Sequence, residues 1–215
     1  MEKRDLFKLG SGKWTLSVTQ SERRRTQNMP EPAIKKTTYD DLYSIPENMV
    51  GEIIDGELIA TPRPSRKHVY AASILGAEVL PPYQLGRSGG PGGWIILDEP
   101  ELSLGEHILV PDLAGWRKER LQALPEENWI AVSPDWVCEI LSPGTIRLDK
   151  TRKTPIYAAH RVEYLWFIDP SAKSLDVFKL GSGNWILMGT YAEDDKVRAE
   201  PFQEVEIHLG NLWWE

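Results

Sequence analysis

A mixed α/β or α+β sheet, rich in hairpins, is the fold class the sequence predicts, and three observations carry it. Short apolar runs are joined by tight turns, as in Glu52-Ile53-Ile54-Asp55-Gly56-Glu57-Leu58-Ile59, where Asp-Gly separates two strand signals. One long amphipathic helix, Ser65 to Leu80, precedes most of the strands. Strands and helices then alternate too irregularly for a βαβ array. With 41% hydrophobic and 27% charged residues, the 215-residue chain has ordinary globular composition, which excludes a wholly disordered or fibrous protein.

In chain order, the first feature is an internal repeat. Residues 7–22, FKLGSGKWTLSVTQSE, and residues 178–193, FKLGSGNWILMGTYAE, are identical at ten of sixteen positions. Each reads as strand, Gly-Ser-Gly turn, strand. Two single hairpins do not make a solenoid. Residues 21–36 are polar, charged and Pro-containing, as in a linker. The sequence therefore divides into an extension, 1–36, and a domain, 37–215.

Within that domain, Thr38 with Asp40 and Asp41 resembles a helix start. In the long helix Val69, Ala72, Leu75, Ala77 and Val79 supply apolar positions, and Pro81-Pro82 ends it. GRSGGPGG, 86–93, is a loop. Strands follow at Trp94–Leu97 and Ile108–Trp116, then a charged connection at 117–130, then a strand at Trp136–Leu141. Residues 149–160 read as helix, with Pro155 either in a first turn or at a kink. Val162–Ile168 is an apolar strand, the second hairpin copy follows, and Val205–Trp214 closes the chain as a strand or short helix.

The single cysteine, Cys138, excludes an internal disulfide and a multi-cysteine zinc site. No apolar run approaches the roughly 18 residues of a membrane span. The first residues lack the apolar core of a secretory signal. These features predict a cytoplasmic protein with no membrane partner. A net charge of −7 argues against a general nucleic-acid coating protein. It leaves room for a nuclease, in which only the local field must be basic.

Two carboxylates stand out. Asp112 follows the apolar run Ile108-Leu109-Val110 and, on one continuous strand, shares a face with Val110 and Ala114. Glu139 lies inside Trp136-Val137-Cys138-Glu139-Ile140-Leu141, where an unpartnered carboxylate is costly. Carboxylates on adjacent strands repel, and a hard cation such as Mg2+ between them relieves the repulsion. A strand-end carboxylate bound to a backbone amide or an arginine is the plainer alternative for each. Arg147-Leu148-Asp149-Lys150-Thr151-Arg152-Lys153 follows as a basic segment, either a phosphate contact or a solvated face. Asp149, Lys153 and Tyr157 are spaced by four and line one helix face. His68 either reaches a phosphate or orients a water, or is a surface residue at a helix start. His107, His160 and His208 show no zinc spacing.

Taken in order, these pieces resemble the Uma-type family of restriction-endonuclease-like proteins, a branch of the PD-(D/E)XK nuclease superfamily. The matching residues are Glu52-Ile-Ile-Asp55-Gly56-Glu57-Leu58, His68, and Val110-Pro111-Asp112-Leu113-Ala114. They continue with Glu139-Ile-Leu-Ser142-Pro143 and Thr145, then Asp149, Lys153 and Tyr157, and finally Trp166-Phe-Ile-Asp169-Pro170. The similarity covers roughly residues 37–213. It departs at Gly144, often Ser in the family, and at Arg161, usually Gly.

The resemblance implies a mixed central sheet flanked by helices, with a divalent-metal site on one sheet edge. Asp112 and Glu139 match the metal-binding acids. Leu141 occupies the usual lysine position, and Lys153 on the following helix matches the displaced lysine. Glu52 matches an acidic residue from the N-terminal part. His68, Asp149 and Tyr157 are accessory candidates, and Lys150, Arg147 and Arg152 are candidate DNA-phosphate contacts. The expected activity is Mg2+- or Mn2+-dependent hydrolysis of DNA. The alternative is a non-catalytic member that binds nucleic acid or protein. The nine tryptophans, with Trp213-Trp214 at the C-terminal end, suggest a homodimer, unless they simply fill the core.

Overall fold

The computed structural model describes residues 7–8, 14–15 and 37–214. Chain contacts divide the protein into two units, Met1–Lys35 and Lys36–Glu215. In the first, β1 (Phe7–Lys8) and β2 (Trp14–Thr15) pair antiparallel. The linker reading of 21–36 lies outside the described residues.

The second unit opens on a 3-10 turn, Tyr39–Ser44, closed by a reciprocal Thr38–Asp41 cap. The Asp55-Gly56 turn joins β3 (Met49–Ile54) to β4 (Glu57–Pro62). Both turn residues have positive φ, 54° and 75°, as a tight hairpin turn demands. Next comes helix α1 (Arg66–Val79), with the Ser65 hydroxyl accepting from the His68 amide. Its buried stripe is His68, Ala71, Leu75 and Val79. Val69 is half exposed, so the apolar face is turned relative to the sequence expectation because a histidine occupies the inner side. Pro81-Pro82 does not end the helical path at once: a π-helical turn, Leu80–Gln84, continues it.

The strands that follow are β5 (Trp94–Asp98), β6 (Glu101–Leu104), β7 (His107–Leu109), β8 (Leu113–Arg117), β9 (Trp129–Ile130) and β10 (Trp136–Ile140). The single strand expected over Ile108–Trp116 is thus two. Pro111 has no amide hydrogen for a ladder, and the chain leaves one sheet for another across Val110-Pro111-Asp112. The helix expected over 149–160 begins earlier, as α2 (Ile146–Leu148), passes through a π-helical turn at Asp149–Lys153, and ends as α3 (Thr154–Ala159) with Pro155 in its first turn. Then come β11 (Tyr164–Asp169), β12 (Ser174–Gly181), β13 (Asn184–Ala192), β14 (Lys196–Val197) and β15 (Ile207–His208). A 3-10 turn at Leu209–Leu212 closes the chain. None of the described helices is long and apolar enough to cross a membrane.

The architecture is mixed α+β. A six-stranded sheet runs β13-β12-β11-β10-β8-β5, with β10 and β11 parallel and their other neighbours antiparallel. A five-stranded sheet runs β4-β3-β7-β6-β9. Alternation along β10 and β11 buries both faces of the large sheet. Trp136, Cys138, Ile140, Tyr164, Trp166 and Ile168 pack with α1 and the C-terminal segment. Val137, Leu165 and Phe167 pack with α3 and the smaller sheet. Trp94, Trp116, Trp136, Trp166 and Trp213 are buried, and Trp214 is largely exposed. Most of the tryptophans whose burial is described fill the core.

Helix α3 ends in paired bonds, Arg161 N–H to Ala158 O and Val162 N–H to Tyr157 O. That motif requires a left-handed residue, and Arg161 has φ 59°. A side chain is strained there, so Arg161→Gly should raise unfolding free energy by about 0.5–1 kcal/mol. Urea titration tests this; a lower midpoint would mean that contacts of the arginine outweigh the strain.

Candidate active site

The site lies where the chain passes from the small sheet to the large one. Leu113 pairs with Cys138, and one further step of that antiparallel register sets Asp112 opposite Glu139. The Ile140 amide donates to Asp112 Oδ2 at 2.6 Å. His68, on the inner face of α1, meets Asp112 Oδ1 through Nε2 at 2.5 Å. Asp112 is therefore the amide-bound strand-end carboxylate of the plainer reading, and it also faces Glu139. His68 is buried rather than a surface residue.

Glu139 is 2% exposed. The Tyr157 hydroxyl donates to its Oε1 at 2.6 Å, and Lys153 Nζ lies 2.9 Å from the same oxygen. Lys153 Nζ also sits 3.1 Å from Glu52 Oε1 and 3.6 Å from Asp149 Oδ1, and it donates to Val110 O at 3.1 Å. Glu52 Oε1 in turn accepts from the Val110 amide at 2.8 Å. The (i, i+4) partner Asp149, which the sequence suggests, is thus the loosest of the three carboxylates around the lysine. The closer two come from the two sheets, a pairing that helical spacing alone does not reveal.

The charge balance is uneven. Glu52, Glu99, Asp112, Glu139 and Asp149 share the cleft with Lys153, Arg63 and His68, and Arg63 is itself paired with Glu99. Burial pushes the Glu139 carboxyl well above its ordinary range; Lys153 opposes this, while Asp149, Asp112 and Glu52 reinforce it. Asp149 is raised, again by burial first. Burial alone would lower the Lys153 pKa, but Glu139 and Glu52 outweigh it and hold the ammonium well above its usual value. Tyr157 is raised by burial and then by Glu139, so it stays a phenol and a donor.

These residues line a cleft of about 300 Å3, together with Arg63, Pro64, Ser65, Glu99 and the Ser142–Thr145 turn. Arg63 and Ser65, which the sequence shows only as parts of the basic segment before His68 and of the helix start and not as site residues, reach the cleft because β4 delivers the chain directly to the start of α1. Of the basic segment, only Lys153 enters the cleft. Arg152 is engaged by Asp55 at 3.1 Å and Glu57 at 2.7 Å. Lys150 lies over the Phe167 ring, 5.3 Å from its centroid, and Arg147 is exposed.

Among the described residues no three His, Cys, Asp or Glu side chains form a ready cage for a metal. Magnesium does not need one, since one or two carboxylates with waters and substrate oxygens suffice. The opposed Asp112 and Glu139 carboxylates supply oxygen donors, and the surplus of buried negative charge is what a divalent cation relieves. The donor set fits Mg2+ or Mn2+.

A mixed sheet with Asp112 just before β8, Glu139 on the neighbouring β10 and a lysine beside Glu139 has the fold of a nuclease-like protein. The chain belongs to the Uma2 family, described as putative restriction endonuclease, whose model matches residues 37–210. Its fold is similar to that of a crystal structure from Anabaena variabilis, titled a putative nuclease belonging to DUF820. The TM-score is 0.62 with 23% identity over 81% of this chain and 96% of that one. No curated protein matches.

Removing one partner from a buried charge cluster leaves the others unpaired. Lys153→Met should therefore cost about 3–5 kcal/mol of stability. Adding Glu52→Gln, which keeps an acceptor for the Val110 amide, should return about 1 kcal/mol or more. Denaturant titration of the three proteins decides it; equal midpoints would mean that the cluster carries no such electrostatic weight.

Proposed function

We propose that the chain is a divalent-metal-dependent endonuclease that hydrolyses DNA phosphodiester bonds. The observation that supports this most is the convergence in one cleft of Asp112 from the sheet-to-sheet link, Glu139 from β10 and Lys153 from the helical segment that follows. Asp112 and Glu139 would hold the Mg2+ or Mn2+ ion, which when bound supplies Lewis-acid polarisation of a phosphoryl oxygen. His68 and the Ile140 amide fix the Asp112 carboxylate from two sides. Tyr157 fixes Glu139 through Oε1. Lys153 carries the positive charge that offsets charge developing on the phosphate. Lys150 and Arg147, exposed and outside the cleft, are free to meet phosphates along the chain.

One observation favours a second reading. Lys153 has three close acceptors, Glu139, Glu52 and Val110 O, which suit a purely structural ammonium. On that reading the chain is a non-catalytic member that binds nucleic acid or protein and keeps the fold.

Two chains would bring two such sites to the two strands of a duplex. The exposed run Ile186-Leu187-Met188 on the outer strand β13 supports a homodimer. Light scattering at micromolar concentration should give twice the 24.4 kDa chain mass; the single mass would reject the pair.

Plasmid nicking separates the catalytic and non-catalytic readings. Wild type should nick with Mg2+ or Mn2+ and not with chelator. Asp112→Asn and Glu139→Gln should each lower the rate by roughly 10²-fold or more, the scale of losing a transition-state stabiliser. Both should stay folded, since each substitution removes one charge from an overcharged cleft. Nicking at the wild-type rate by both variants would end the catalytic assignment.

A further inference from the structure

A second cavity adjoins the cleft. It lies on the outer side of α1, has a volume of about 660 Å3, and shares Pro64 with the catalytic cleft. Its walls are mostly apolar and comprise Val69, Tyr70 and Trp214, with Arg66, Lys67 and Ser73 at its sides. Tyr70 and Trp214 meet edge to face, with ring centroids 5.0 Å apart and planes at 88°. They form a corner of two perpendicular aromatic surfaces. Trp214 is 62% exposed and Val69 50%. Most of the other large aromatic rings among the described residues are buried; Trp214 opens to solvent and Tyr70 is partly exposed.

The charges beside the corner are one-sided. Arg66 and Lys67 are exposed, and no carboxylate among the described residues lies within ion-pair distance of either. On a chain of net charge −7, these two cations flank an exposed and a partly exposed aromatic ring. Aromatic faces beside cations are the chemistry that holds an unpaired nucleotide. The base stacks on a ring and the adjoining phosphates meet the cations. A paired base has both faces covered by its neighbours and cannot stack in this way. The groove adjoins the cleft through Pro64, and Lys67 on its side immediately precedes His68, which holds Asp112, so one strand could reach both.

On the nuclease reading above, we propose that the Tyr70–Trp214 groove is a nucleobase subsite. It takes one unpaired base of a single-stranded or locally opened DNA strand whose neighbouring phosphate lies in the catalytic cleft. The substrate class this selects is DNA with single-stranded character at the site of cutting, such as an end, a flap or a frayed step.

The test is binding of the full-length protein to a fluorescent oligothymidylate of about 16 nucleotides, within the site sizes usual for such proteins, with chelator present so that no cleavage occurs. An oligomer of the same length made of abasic sugar-phosphate is the control. Trp214→Ala should weaken oligothymidylate binding by roughly tenfold to a hundredfold, the scale of one lost stacking contact. Trp214→Phe should retain most of the affinity. Wild type should bind the abasic strand about as weakly as Trp214→Ala binds oligothymidylate, and Trp214→Ala should not weaken abasic binding further. Wild-type affinity in both Trp214→Ala and Tyr70→Ala would overturn the subsite, as would equal losses on the two strands or no binding of oligothymidylate by wild type. The outcome is independent of catalysis. A protein that nicks plasmids but shows no stacking loss refutes the subsite alone, whereas one that shows the stacking loss yet never nicks refutes the nuclease reading alone.

Discussion

The ammonium of Lys153 is the point on which the site depends. It is buried, and its acceptors come from four places: Glu52 on β3, the Val110 carbonyl in the sheet-to-sheet link, Glu139 on β10, and Asp149 one helical turn away. Desolvating an ammonium costs several kcal/mol, so such a cluster is weak evidence for net stability. What it enforces is geometry. With three carboxylates within 3.6 Å of one cation, neither sheet can shift against the other without leaving a buried charge unpaired.

The second constraint is the break at Pro111. A continuous strand over 108–116 would have put Asp112 inside one sheet. Instead β7 stays in the small sheet, β8 joins the large one, and Asp112 falls at the crossing with its carboxylate on the Ile140 amide. Pro111 offers no ladder donor, while its neighbour Val110 offers both backbone groups to the site, N–H to Glu52 and C=O to Lys153. The Pro-Asp pair is therefore a structural device before it is a chemical one: it lets two sheets share a single acidic cleft.

Much of this was legible in the sequence because the signals are local. Glu139 inside five apolar neighbours announces a partner. The four-residue spacing of Asp149, Lys153 and Tyr157 predicts a shared face, and Lys153 and Tyr157 indeed converge on one oxygen of Glu139. What was not legible is non-local. That Glu52 and Glu139 approach the same ammonium depends on how two sheets pack, and no periodicity encodes it. Arg152 looks like a phosphate contact in a run of basic residues, yet its guanidinium is engaged by Asp55 and Glu57, about 95 positions earlier in the chain. His68 looks like a helix-start surface residue because polar residues usually face out; it faces in because Asp112 gives it a buried partner.

These fates together shape how an anionic chain would approach. The cleft is lined by five carboxylates against Lys153, Arg63 and His68, with Arg63 taken up by Glu99, so a phosphodiester entering it meets a surplus of carboxylates. Arg152 offers nothing to offset that, since it is neutralised at the β3–β4 turn, and Lys150 points elsewhere, over Phe167. On the proposed reading, a divalent ion between Asp112 and Glu139 would add positive charge there. Arg66 and Lys67, on the first turn of α1, lie in the cavity that adjoins the cleft through Pro64, and they flank the cleft rather than line it. Attraction at the rim with repulsion at the centre favours a strand that binds across α1 first and is drawn into the cleft only when the cation is present. Such an order would make cutting, but not binding, depend on the metal.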